Sequence, residues 1–510
     1  MSRLLLARLV RRPVVVAALL TAAAAGAPAA RAGEPFFTGV GDLPGGSNLS
    51  SAQGVSGDGS VVCGYSNSSA GDQAFRWTLA GGLVGLGDLA GGASYSNAHA
   101  VSADGSTIVG DSSGANGGHA FRWREPGPHS GGLQDLGDLP GGDNFSIANG
   151  VNADGSVVVG HSSSAGSGTL SAEAFRWTDP SSGGTGIAAL GDIPGSILFS
   201  VATACSADGS QIGGYGTSPA SGPASSEAAR WTAATGMVGL GDLPGGGFGG
   251  NAFGMSADGN TIVGLSAATG GVFAFRWSDP AAGGAGMASL GDIEGGSAFS
   301  RANGVSADGS VVVGQSVGPA GMEAFIWTAA DGMRSLKSVL QDDLGLDLTG
   351  WTLEVAMAVS ADGRTIVGYG PNPSGDYEGW VAHLGSVGTW TDLGHGLAGS
   401  FGMPVLIGTG DLVAGTPVAF TLSGAQLASP LAWFIGIAEI DAPFKGGVLV
   451  PSPTLIVMGN VTNPGGGFTL GTTWPPGLPS QTSLYFQMWI ADLGAPFGYA
   501  ASNGLKATTP

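Results

Sequence analysis

One phrase, repeated seven times, constrains what this chain can fold into. Its clearest copy spans residues 291–328, GDIEGGSAFSRANGVSADGSVVVGQSVGPAGMEAFIWT. Three landmarks recur. The first is Gly-Asp-Leu/Ile, at Asp42, Asp88, Asp138, Asp192, Asp242 and Asp292. The second is Ala/Gly-Asp-Gly, at Asp58, Asp104, Asp154, Asp208, Asp258, Asp308 and Asp362. The third is a tryptophan, at Trp77, Trp123, Trp177, Trp231, Trp277, Trp327 and Trp380. Successive turn aspartates lie 46, 50, 54, 50, 50 and 54 residues apart. A sustained period of this size marks a solenoid, a propeller or an array.

Each repeat reads as four short strands. Strand A is like residues 302–306 and ends at the turn Asp308-Gly309. Asp-Gly between two apolar runs is a hairpin signal, because both residues tolerate positive φ. Strand B, like 310–314, is β-branched; strand C, like 323–328, is aromatic; strand D, like 286–290, leads into the next Gly-Asp. Four strands in about 50 residues is the size of a propeller blade. From the Gly-Asp aspartate to the turn aspartate the distance is 16 in all six pairs. Length varies only inside the hairpins, where insertions are tolerated. The crossover between blades is therefore the joint held fixed.

The unit resembles the HAF repeat of bacterial extracellular proteins, which His119-Ala120-Phe121 spells out. The resemblance covers roughly residues 36–384. It implies secretion and no known reaction.

The expected fold is all-β: a seven-bladed β-propeller followed by a small β-sandwich. Residues 36–43 read as a strand D without a blade, and the last repeat lacks one. Moving the first strand to the last blade closes the ring and removes an open edge. In the irregular last repeat, Ser338 and Gln341 read as a capping box, with Val339, Leu340 and Leu344 on one helix face.

The expected domains are a signal peptide (1–32), the propeller (33–384), a linker (385–390) and the sandwich (391–510). Arg3, Arg8, Arg11 and Arg12 precede an apolar run and an A-x-A site, Ala30-Arg31-Ala32. No later apolar run reaches transmembrane length. Cleavage would leave 12 basic against 37 acidic residues, a charge of −25. That argues against nucleic acid and anionic membranes as partners. In the C-terminal region, 417–422, 431–438, 447–450 and 483–490 read as strands. PFKGG (443–447) and SLYFQMWI (483–490) resemble a C-terminal module of planctomycete secreted proteins, which implies neither activity nor ligand.

No catalytic constellation stands out. Gly314-Gln315-Ser316-Val317-Gly318 matches a nucleophile elbow, but a hairpin follows it where a helix is needed. His99, His119, His129, His161, His383 and His395 are scattered, without metal-site spacing. Cys63 and Cys205 lie three blades apart and are expected to be free. The Asp-Gly turns lack the alternating ligands of a calcium loop. No cofactor is expected.

The candidate binding residues are aromatics near the crossovers, Tyr95, Phe145, Phe199, Phe248 and Phe299. They suit stacking on sugars; the alternative is packing between blades. Strand C also carries Arg76, Arg122, Arg176, Arg230 and Arg276, and strand D of the same five repeats runs into Asp88, Asp138, Asp192, Asp242 and Asp292. An Arg–Asp pair within each blade is expected. The leading function is a secreted, non-catalytic binding or scaffold protein for an extracellular glycan or protein, at the cell surface or in the periplasm. The alternatives are a propeller-type polysaccharide lyase or glycoside hydrolase, or a structural matrix component.

Overall fold

The computed structural model describes residues 34–125, 132–166, 172–195, 197–385, 388–413, 415–475, 478–479, 482–495 and 497–509. The expected signal peptide lies outside them, as does His129. The chain divides into two compact units, one of them Pro35–Leu384 and the other containing everything from Gly385 on.

The first unit is all-β and of propeller type. Each repeat forms a set of four antiparallel strands in the order A-B-C-D. The sixth, for example, is Ser300–Val305, Val311–Gly318, Gly321–Thr328 and Gly332–Ser335. The second and third repeats merge into one eight-stranded sheet through a parallel bridge between Gly118 and Phe145. The fourth strand of the last set is Phe36–Gly39, antiparallel to Tyr377–His383, with Gly39 opposite Trp380.

Apolar side chains fill the space between consecutive sets. Val61, Cys63 and Ala74 of the first repeat pack with Ala98, Ile108 and Phe121 of the second. Val367 and Val381 of the last repeat pack in the same way with Ala52, Val62 and Phe75 of the first. A run of backbone hydrogen bonds follows the Asp-Gly turns: Gly57 to Ala103, Asp104 to Ala153, Ala153 to Ala207, Ala207 to Ala257, Ala257 to Ala307, and Ala307 to Ala361.

The fixed crossover has a local cause. The glycine of each Gly-Asp has positive φ (Gly87, 79°), a conformation that costs a residue with a Cβ. A serine then ties three segments together. Ser96 Oγ donates to the Gly87 carbonyl at 2.8 Å and accepts from the Ala74 N–H at 2.9 Å. Ser146, Ser200 and Ser300 repeat this, and Ser50 does it between Gly41 and Gly379. An inserted residue would break both bonds.

Strand A carries a β-bulge in every repeat. In the first, Ala52 pairs with Gly64 and Gly54 with Cys63, leaving Gln53 opposite nothing. The residues left over elsewhere are His99, Asn149, Thr203, Phe253, Asn303 and Met357. The facing strand B must supply glycine there, since a Cβ on Gly64 would sit 1.9 Å from the Ser51 carbonyl oxygen.

Several expectations need correction. Trp380 pairs with Gly368 as Phe75 pairs with Gly64, so it takes the phenylalanine place and Ala382 the tryptophan place. The short helix begins at Leu336, ahead of the expected capping box, and neither Ser335 nor Ser338 caps it. Leu340 is fully buried, with Val339 and Leu344 packed beside it.

The expected Arg–Asp pairs do not form. Arg76 meets Glu125 at 2.9 Å, Arg122 meets Asp179 at 2.9 Å, and Arg230 meets Asp279 at 2.6 Å. Arg176 and Arg276 donate to the carbonyls of Gly209 and Gly309. Register is the reason: Arg176 lies opposite Ala188, so Asp192 is four residues further along, at the other end of the blade. The strand C arginines point instead towards the Asp-Gly turns. Asp192 stays at the crossover end, where burial raises its carboxyl pKa and neither carboxylate oxygen has a hydrogen-bond partner among the described residues.

The C-terminal unit is a sandwich-like all-β fold. One sheet runs Thr389–Gly394, Gly504–Thr508, Ser483–Ala491, Pro430–Gly436, Leu455–Val461; Tyr499–Ala501 also pairs with Ser483–Ala491. A second holds Val405–Thr409, Pro417–Ser423 and Phe468–Thr473. Phe420 is central to the core, 4.8 Å from Phe486 and 5.0 Å from Trp433 between ring centroids. PFKGG forms the turn of a separate hairpin, with Lys445 and Gly446 both at positive φ.

Candidate functional site

The bulges position the site. The unpaired residue of strand A in every repeat lines a single cavity of about 450 Å³. Gln53, His99, Asn149, Thr203, Phe253, Asn303 and Met357 all reach it, joined by His161 and Tyr215 from strand B and by Arg301. The volume lies within the ~300–1,000 Å³ typical of small-molecule sites.

Three of the bulge side chains are tied to the next repeat. Asn149 donates to the Ala202 carbonyl at 2.8 Å, Thr203 to Ala252 at 3.1 Å and Asn303 to Ala356 at 2.9 Å. His99 Nε2 lies 2.7 Å from Asp111, a strand B residue. His161 Nδ1 meets Asn149 Nδ2 at 3.1 Å. Burial, followed by repulsion from His99, pulls the His161 pKa down to about 4, which leaves the ring neutral at neutral pH. The Arg301 guanidinium lies 3.8 Å over the Phe253 ring, and Tyr215 meets the same ring edge-on at 6.3 Å.

The crossover aromatics border this cavity in part. Phe145 is 6.0 Å from His161 and Phe199 is 6.2 Å from Tyr215, while burial and the nearby Asp111 charge push the Tyr95 pKa up to about 12. Tyr95 and Phe145 are exposed; Phe199, Phe248 and Phe299 are half-buried. No ring contact brings Phe248 or Phe299 to the others among the described residues.

The histidines are less scattered than their numbering suggests, since His99 and His161 share the cavity. The signal was available in a different form. Five residues before each turn aspartate, an otherwise regular repeat reads Gln, His, Asn, Thr, Phe, Asn, Met.

Other features resolve as structural. Ser316 sits inside a strand, fully buried, accepting from the Ile293 N–H and donating to the Phe299 carbonyl, so it is no nucleophile. Asp308 accepts from Ser306 Oγ and the Ser310 N–H, closing its own turn. Among the described residues no cluster of His, Cys, Asp or Glu could hold a metal ion. Cys63 and Cys205 are both free; Cys63 is buried and Cys205 half-buried. No helix among the described residues is long and apolar enough to cross a membrane.

No protein-family model matches the chain. No curated protein matches it either. Among solved structures it is similar to TolB from Acinetobacter baumannii, at 15% identity and TM-score 0.32, over 44% of this chain and 50% of that one. It thus spans half the length of that neighbour. It is also similar to the Dos1 propeller, at 10% identity and TM-score 0.36, over 69% of this chain and 95% of that one. A third is Porphyromonas gingivalis dipeptidyl peptidase 4, at 9% identity and TM-score 0.31, over 76% and 65%. At these values none of them carries a function to this chain.

Proposed function

We propose that the chain is a secreted, non-catalytic binding or scaffold protein. In this reading the repeats form a seven-bladed propeller of HAF type, closed by the strand Phe36–Gly39, and the cavity is its central channel. The pairing of that strand with Tyr377–His383 supports closure. The hydrogen bond from Ala361 to Gly57 supports it too, since it links the last turn to the first. The C-terminal unit is a module of the planctomycete secreted type, attached for localisation at the cell surface or in the periplasm.

The observation that carries a binding role is convergence: seven side chains of six kinds, one per repeat, meet at one cavity. The ligand class is an extracellular glycan or protein segment. The test is a glycan array probed with the mature chain and with Gln53→Trp, which fills the cavity and spares the strand ladders. Retention that Gln53→Trp abolishes, at unchanged melting temperature, is expected. Equal retention by both proteins would remove the cavity from the reading.

One observation favours the polysaccharide-lyase alternative. The His99–Asp111 contact orients an imidazole as a general base requires. A glycoside hydrolase needs a pair of carboxylates, and among the described residues no Asp or Glu lines the cavity. Appearance of an unsaturated sugar product, lost in His99→Gln, would decide for the lyase.

A further inference from the structure

The cavity has an electrostatic character opposite to that of the molecule. The chain carries a net charge of −20, yet among the described residues no carboxylate lines the cavity, and Arg301 is its one permanently charged lining residue. Most arginines among the described residues have partners. Arg76, Arg122, Arg230 and Arg334 meet carboxylates, and Arg176 and Arg276 meet backbone carbonyls. Arg301 makes no ion pair among the described residues, and its Nε is shielded from solvent with no hydrogen-bond partner.

A shielded cation without a counter-charge is costly. In a chain with this excess of acid, a structural partner would be easy to supply. The guanidinium is instead held flat against Phe253, a stacking arrangement that fixes its plane. A fixed planar fork matches one carboxylate by two parallel hydrogen bonds. A polyanion would require further cations, whereas His99 is already engaged with Asp111.

The surroundings favour a sugar as the body of the ligand. Tyr215 meets the Phe253 ring edge-on, and Phe145 and Phe199 stand beside His161 and Tyr215. Such rings offer faces for stacking. We infer that the cavity takes a sugar acid, with its carboxylate on Arg301. This rests on the channel being the binding site.

The test is isothermal titration of the mature chain with galacturonate and trigalacturonate, with galactose and galactotriose as neutral counterparts. Inorganic phosphate serves as a competitor. Expected is at least tenfold tighter binding of the acids than of the neutral sugars. Arg301→Gln should abolish that preference, Arg301→Lys should restore part of it, and both should melt with the wild type. If neutral sugars bind as well as acids, unaffected by Arg301→Gln but lost in Gln53→Trp, the inference falls while the channel reading stands. Acid binding that survives Gln53→Trp removes both. Displacement by phosphate at equal concentration overturns the sugar acid in favour of a general anion site, and failure of the acids to bind overturns it outright.

Discussion

The backbone N–H of Ala361 donates to the carbonyl of Gly57 at 3.0 Å, so the turn segment of the last repeat is bonded to that of the first. It belongs to the same series that links each earlier repeat to its successor. Residues more than 300 positions apart in the chain thus stand as neighbours do.

Contacts of such long sequence separation should make the N-terminal strand disproportionately important. Phe37 packs edge-on against Trp351 at 5.1 Å and lies 6.2 Å from Trp380. Phe37→Ala should lower stability by about 3 kcal/mol, the low end for a core phenylalanine because the ring is half-buried. Removal of residues through Gly39 should do more, leaving strand Tyr377–His383 with an open edge. Urea unfolding would check both, and a truncated chain as stable as the full one would contradict the pairing.

The buried Arg122 should matter more than its counterparts. It bonds Asp179 and Gln134 and stacks 4.5 Å over Trp177. Hydrogen bonds from Ser181, together with pairing to Arg122, hold Asp179 down to about 2. Arg122→Met strands a shielded carboxylate and should cost roughly 3 kcal/mol. Arg276→Met, which loses a bond to a carbonyl and one to Thr261, should cost about 1 kcal/mol. Adding Asp179→Asn to Arg122→Met should recover part of the loss in a double-mutant cycle.

Acid should weaken the fold through His161. The unfolded residue titrates near ~6.5, and in the folded chain it does so at about 4. Between these values the unfolded chain holds a proton that the folded one does not, so stability falls as pH drops through the window. The expected loss is on the order of 2 kcal/mol, discounted for partial exposure. His161→Gln should remove that component. Urea midpoints at pH 7 and pH 4.5 for both proteins would show it; an identical loss in the variant would assign the effect elsewhere.

Neither thiol should react in the native protein. Burial pushes Cys63 above the usual thiol range and Cys205 up to about 12. Thiolate, the reactive form, is therefore scarce at pH 8. Denaturation without reductant should release two titratable thiols. Finding none would mean a disulfide and a wrong strand register.

Gln487 is the polar counterpart in the C-terminal unit. It is buried, accepts from the Val450 N–H and Trp489 Nε1, and donates to the carbonyls of Val448 and Ser502. Gln487→Leu leaves these groups unpaired and should cost roughly 2–4 kcal/mol, measurable as a shift in denaturant midpoint.

What the sequence made legible was whatever the repeats share. The Asp-Gly turns, strands A to D and the strand-like character of residues 36–43, of which Phe36–Gly39 forms the strand, follow from periodicity and turn chemistry. Whether Arg and Asp pair is not legible in the sequence, because adjacent strands need not bring these residues together, and antiparallel register puts Arg176 and Asp192 at opposite ends. The cavity was missed for the converse reason. Its lining is what the repeats do not share, and the bulge that aims it leaves no motif except an alanine, a variable residue and a small one.

The bulge has one more consequence. A residue that belongs to neither ladder can be exchanged without rewriting a hydrogen-bond register. Three of the seven are committed to bracing the next repeat, but Gln53, His99, Phe253 and Met357 are not. The scaffold therefore keeps its architecture and the lining of its cavity in separate parts of the same sequence. Exchanging those four would change the chemistry of the cavity wall while leaving the ladder hydrogen bonds in place.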